Sequence, residues 1–201
     1  MNALYSLAAL LTLAAPAWAD AITPEALDLT ATYGGADVVV LGEVHDNPIH
    51  HEHQARAVAA LAPKALVFEM LPPGVKMPET HADADDLAHA LGWDATGWPD
   101  FSMYYPIFTA APTARVYGAE VGRDQARQAF AEGIAAIFGP DAAAYGLTTP
   151  LPAADQSARE AEQAQAHCNA LPPDLLPGMV DVQRLRDATL ARAVVQAGID
   201  A

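Results

Sequence analysis

The stretch Val38-Val39-Val40-Leu41-Gly42-Glu43-Val44-His45-Asp46-Asn47-Pro48 decides how this chain is read. It joins a β-branched apolar run to a loop bearing acids and an imidazole, and then to a helix start. Continuous apolar runs of this length suit strands buried on both faces of a parallel sheet, so Ala36–Leu41 reads as a strand. Asp46 or Asn47 supplies a capping side chain and Pro48 suits the first helical position. The helix is expected to run to about Leu61, where Pro63 stops it. A second run, Ala65-Leu66-Val67-Phe68, ends at Glu69. Strand, helix and strand in that order form a βαβ unit with a right-handed crossover, which places Glu43 and Glu69 at the same carboxyl edge.

Ala114-Arg115-Val116-Tyr117-Gly118 repeats the pattern, with Ala119-Glu120 at its end and a helix expected from Arg123 to Phe130. Between the second and third runs lies an insert, Pro72 to Pro112. Within it Asp83–Trp93 reads as helix, and a further piece starts at Gly97-Trp98-Pro99-Asp100. The insert holds half of the aromatic residues found after Ala19, among them Trp98, Tyr104 and Tyr105. Two further helices are expected, over about Ala153–Ala170 and Pro177–Gly198. The fold class is therefore α/β, a mainly parallel sheet flanked by helices, with a helical, aromatic-rich insert. Because Asp200-Ala201 directly follows a helix, a further C-terminal strand is expected beyond the residues given.

Met1 to Ala19 carry no charged side chain, and the run Leu7 to Leu13 leads to the small-residue triplet Ala17-Trp18-Ala19. This reads as a secretory signal peptide, too short in its apolar part to anchor in a bilayer, which takes roughly 20 apolar residues. Residues 20–201 are expected to form one domain of about 180 residues. With no lipid-accepting cysteine near the cleavage site, that domain is expected to be free in the periplasm. The formal charge of −15 disfavours nucleic acid and anionic membrane surfaces as partners. Cys168 is the single cysteine, so no intramolecular disulfide is available.

Three constellations could carry chemistry. Neighbouring strands lie about 4.8 Å apart, so Glu43 and Glu69 at one edge, with His45 beside them, can converge on a cation or share a proton. The alternative is a set of solvated loop residues, with Asp46 only capping the helix. His50, His51 and His53 occupy the first turn of the crossover helix. His51 shares a face with Ala55 and Val58 and should point inward, whereas His50 and His53 lie three apart on another side. These rings could ligate a metal or simply form a polar first turn. The third constellation is the insert, whose aromatic surface suits a flat apolar cofactor and whose tyrosines could offer a phenolate to ferric haem; the alternative is an ordinary lid or core helix. At His167-Cys168 a buried thiol and a satisfied histidine are expected rather than a nucleophile and base.

Gly42-Glu43-Val44-His45-Asp46-Asn47-Pro48, His50-His51, Val67-Phe68-Glu69-Met70-Leu71 and the later Gln183-Arg184-Leu185-Arg186-Asp187-Ala188 together resemble the ChaN-type haem-binding uptake family, related to the Tiki, TraB and erythromycin-esterase-like proteins. The resemblance spans nearly all of the chain after Ala19. It implies a haem-binding protein of iron uptake that can form a homodimer, with tyrosine and histidine ligation. Tyr104 or Tyr105 matches the tyrosine, and His45, His50 and His51 are the candidate histidines. The wider superfamily includes metal-dependent proteases, so the resemblance also implies an alternative, a hydrolase holding a divalent metal through Glu43, His45 and Glu69. The chain departs from the family in lacking a lipid-acceptor cysteine and in ending before the glycine-histidine strand that closes the family's sheet.

Overall fold

The computed structural model describes residues 28–200, so the expected signal peptide lies outside the described residues. A short helix, α1 (Leu29–Tyr33), is capped by the Asp28 carboxylate, which accepts from the Ala31 N–H. Helix α2 (Pro48–Leu61) begins where the sequence predicts. Asn47 is its N-cap, accepting from the Ile49 N–H, and Pro48 occupies the first turn, where a missing N–H costs nothing. Its inward side is His51, Gln54, Ala57 and Val58, and its C-cap, Ala62, takes a left-handed conformation before Pro63.

Strands β1 (Ala65–Phe68) and β2 (Arg115–Gly118) pair in parallel, Ala65 opposite Arg115 and Phe68 opposite Gly118. They are the whole sheet among the described residues. The parallel α/β class holds, but the first expected strand does not form. Val38–Leu41 belongs to a stretch with no helix or strand assignment, and Val38 and Val40 are 52% and 78% exposed. Its composition suits a strand, yet no backbone among the described residues pairs with it. The crossover between parallel strands is instead the one from β1 to β2, which carries Glu69 and Glu120 to one carboxyl edge. At that edge Gly118 passes directly under the turn that follows β1, so close that a Cβ on it would collide with the Leu71 and Pro72 carbonyl oxygens.

The insert crosses between these strands as α3 (Ala84–Leu91), two single 3-10 turns at Trp93–Ala95 and Phe101–Met103, and α4 (Tyr105–Ala110). Gly92 ends α3 in the left-handed region at φ 68°, a conformation that a residue without a Cβ adopts freely. The insert packs back on the sheet: Leu66, Phe68, Leu87, Trp93, Tyr104 and Phe108 share one core with Val58 of α2. Phe68 and Phe108 stack at 4.5 Å.

After β2 come α5 (Arg123–Glu132), α6 (Ile134–Phe138), α7 (Ala153–Ala166) and α8 (Leu176–Asp200). A second core joins Ala129, Ile134, Phe138 and Leu147 to Val182, Leu185 and Ala188 of α8. Helix α8 also lies against β1 and β2, and at its end Asp200 bonds to the side chains of Arg115 and Tyr117. No helix among the described residues is long and apolar enough to cross a membrane.

Candidate functional site

The loop Gly42–Asn47 delivers its side chains onto the N-terminal part of α2 and the start of α4. Glu43 is the hub. Its Oε1 lies 2.7 Å from His45 Nδ1 and accepts from the Tyr104 hydroxyl at 3.1 Å. Its Oε2 accepts from Gln54 Nε2 at 2.9 Å and lies 3.3 Å from His51 Nδ1. Four side chains thus converge on one carboxylate that is only 10% exposed, and together they hold it in a single orientation.

His51 is fully buried. Its Nε2 is 2.9 Å from the His45 carbonyl oxygen, and its Nδ1 is 3.2 Å from Gln54 Oε1. Gln54 is oriented in turn, because its Nε2 also donates to the Leu41 carbonyl. Both ring nitrogens of His51 are therefore engaged with oxygen atoms. Its ring lies 4.1 Å from that of Tyr104, closing the site from below. His50 does something different: its Nδ1 accepts the Val44 N–H at 2.8 Å and clamps the loop to the helix. His53 is half-buried on α2 and belongs to none of these bonds, and exposed Asp46 leaves the capping of α2 to Asn47.

Tyr104 is completely buried, with its hydroxyl 3.1 Å from both Glu43 Oε1 and the His45 carbonyl oxygen. Burial first, then the negative charges of Glu43, Glu69 and Asp46, push the phenol well above its ordinary range. This hydroxyl keeps its proton. Glu43 and Glu69 thus act on one phenol, although Glu43 arrives from an unpaired loop rather than from a neighbouring strand. Tyr105, half-buried, turns away toward Phe101 and the edge of the His81 ring.

His45 is the exposed member. Its side chain is 40% accessible, and Trp98 from the insert meets it edge to face at 4.7 Å. Exposed apolar side chains come from the same stretch of chain, namely Val38, Val40, Leu41, Val44 and Ile49. A groove of about 340 Å³ lies elsewhere, between β2 and α8, and touches none of these residues.

Gln54 completes the site without having been singled out by the sequence, and beside His45 stands Trp98, which the sequence marks only as one of the insert's aromatic residues. Gln54 had a signal: it follows His51 by three residues on α2, the spacing that stacks side chains on one helix face. Trp98 was legible as part of the aromatic insert, but only the folded insert brings it to His45. Glu120, at the end of β2, is half-buried and its carboxyl is raised by that burial. The expectation of a buried thiol fails: Cys168 is exposed, just beyond α7, while His167 Nδ1 lies 2.8 Å from the Gln163 carbonyl oxygen. Among the described residues no group of three or more His, Cys, Asp or Glu side chains is arranged to hold a metal ion, so a divalent-metal centre at Glu43, His45 and Glu69 gains no support.

No curated protein and no solved structure gives a significant match to the chain. The family comparison does, over residues 29–200, and that span takes in the Glu43 hub, the aromatic insert and both cores. The chain belongs to the ChaN family of haem-binding uptake proteins, in the Tiki superfamily.

Proposed function

We propose that this chain is an exported, periplasmic protein that takes up or holds ferric haem on the surface formed by the Val38–Ile49 stretch and Trp98. The observation that supports the reading is the concentration of exposed apolar side chains there, next to a half-exposed imidazole: Val38, Val40, Val44 and Ile49 are all at least half exposed. Scattered exposed apolar residues are ordinary, but a run of them beside polar ligating groups marks a surface for an apolar ligand. Haem supplies a flat apolar ring and an iron that accepts nitrogen or oxygen donors.

The residues present differ in how they fit such a group. Tyr104 is unsuited as an anionic ligand, since its hydroxyl is buried, bonded to Glu43 and held protonated. Its role is to support the hub. His51 is equally enclosed, and His50 is occupied by the loop backbone. His45 and Tyr105 remain as side chains with accessible surface. The signal-peptide pattern of Met1–Ala19 supports the periplasmic location.

Titration of the purified protein with hemin should give a saturable Soret band. Val44→Asp, which places a charge on the proposed ring-contacting surface, should weaken binding about tenfold or more. A linear, nonsaturating response, or a Val44→Asp protein that binds as tightly as the parent, would refute the assignment.

A further inference from the structure

We propose that Arg123, the first residue of α5, binds a propionate of the porphyrin and makes the surface beside Trp98 selective for haem with free carboxylates; the inference rests on the haem-binding reading above. Arg123 follows β2 at the carboxyl edge of the sheet, the side on which open parallel sheets meet their ligands. Its exposed side chain reaches across to the insert: a Cβ added at Gly97 would lie 3.2 Å from Arg123 Nη2. Gly97 stands at φ 79°, in the left-handed region, and its lack of a side chain leaves the space that the guanidinium takes. The next residue, Trp98, is the ring that meets His45 at 4.7 Å. The cation therefore stands one residue from the aromatic wall of the proposed haem surface.

That cation is uncommitted. Elsewhere Arg127, Arg159 and Arg184 each pair with an aspartate, and Arg192 lies over the Phe138 ring. Arg123 has no hydrogen bond from its side chain, no ion pair and no ring contact among the described residues, and the adjacent Asp124 is engaged by Arg127 at 3.0 Å. Nor does its own helix stabilise it, since the N-terminal end of α5 carries a positive partial charge that disfavours a cation at the first residue. A guanidinium presents a planar fork of N–H donors that a carboxylate accepts through two parallel bonds. In an otherwise apolar site a few placed polar groups fix how the ligand lies. Haem carries both propionates on one edge of a flat ring, so a cation at Gly97 also selects which edge faces the insert. In a chain of formal charge −15 it offsets, locally, the repulsion that the carboxylates meet.

The test compares hemin, hemin with both propionates esterified and iron-free protoporphyrin on the parent, Arg123→Gln and Arg123→Lys, each checked for folding by circular dichroism. The side chain is exposed, so the variants should fold as the parent does. The parent should bind hemin about three- to tenfold more tightly than the diester, the range of a partly exposed charge-assisted pair. Arg123→Gln should lose that preference by weakening the free acid alone, and Arg123→Lys should keep part of it. Iron-free protoporphyrin should show the same loss, because the contact reads the carboxylate and not the metal. An Arg123→Gln protein that retains the parent's preference overturns the assignment. So does equal weakening for hemin and the diester, which would show that Arg123 only supports the shape of the surface. Failure of the parent to bind hemin saturably overturns the haem-binding reading and this inference together, whereas saturable binding with no preference for the free acid removes only the role given to Arg123.

Discussion

At the scale of single residues, the Tyr104 hydroxyl is the group whose removal speaks most directly about the hub. Tyr104→Phe deletes one donor to Glu43 and one contact with the His45 carbonyl while keeping the ring in the core. The expected loss is about 1–2 kcal/mol of unfolding free energy by urea titration at neutral pH. The pH dependence has a definite sign. A phenol raised in the fold stays protonated where the same phenol in the unfolded chain ionises, so its contribution is fully present below about pH 10 and declines as pH rises further. The difference between parent and Tyr104→Phe should thus be flat through neutrality and shrink in alkali. A difference that stayed unchanged in strong alkali would show that the hydroxyl is not the group responsible.

Among the secondary-structure elements some were legible in the sequence, whereas Val38–Leu41, read as a strand, forms none. Asn47-Pro48 announces α2 because a capping side chain and a proline act locally, and the structure starts the helix there. Ala65–Phe68 and Arg115–Gly118 were readable for the same reason that they pair: each is a short run able to be covered on both faces. Val38–Leu41 has the same composition, but a strand exists only if another backbone receives its hydrogen bonds, and composition carries no information about that partner. The hub was half legible. Glu43, His45 and His51 stand out by type and spacing, whereas Tyr104 is 61 positions from Glu43 and meets it only through the tertiary packing of the insert. Stability should separate the two kinds of apolar run. Val40→Ser, at a site 78% exposed, should change unfolding free energy by less than about 0.5 kcal/mol, while Leu66→Ala in the core should cost about 2–5 kcal/mol. Equal losses would mean that the Val38–Leu41 run is packed after all.

Across the whole molecule, the formal charge of −15 sets the long-range conditions under which a ligand approaches. Haem brings a pair of propionate groups, so like charge slows its encounter, and salt screens that repulsion over a Debye length of about 10 Å at 0.1 M. Stopped-flow association of monomeric hemin should therefore quicken as sodium chloride is raised from about 10 to 150 mM; a rate that fell with salt would point to a local cationic funnel overriding the net charge. The two cores of the protein meet through α8, which contributes Val182 and Leu185 to one and lies against the sheet of the other. Beneath the turn that carries Glu69, Met70 and Leu71, the closeness of Gly118 to two peptide oxygens sets a limit of another kind. Backbone so tightly seated has little room to yield. Evolution of this scaffold toward other ligands can alter exposed side chains such as Val38, Val40 and Ile49, yet it is confined at Gly118, where even a methyl group would push the turn at Leu71 and Pro72 off the neighbouring strand.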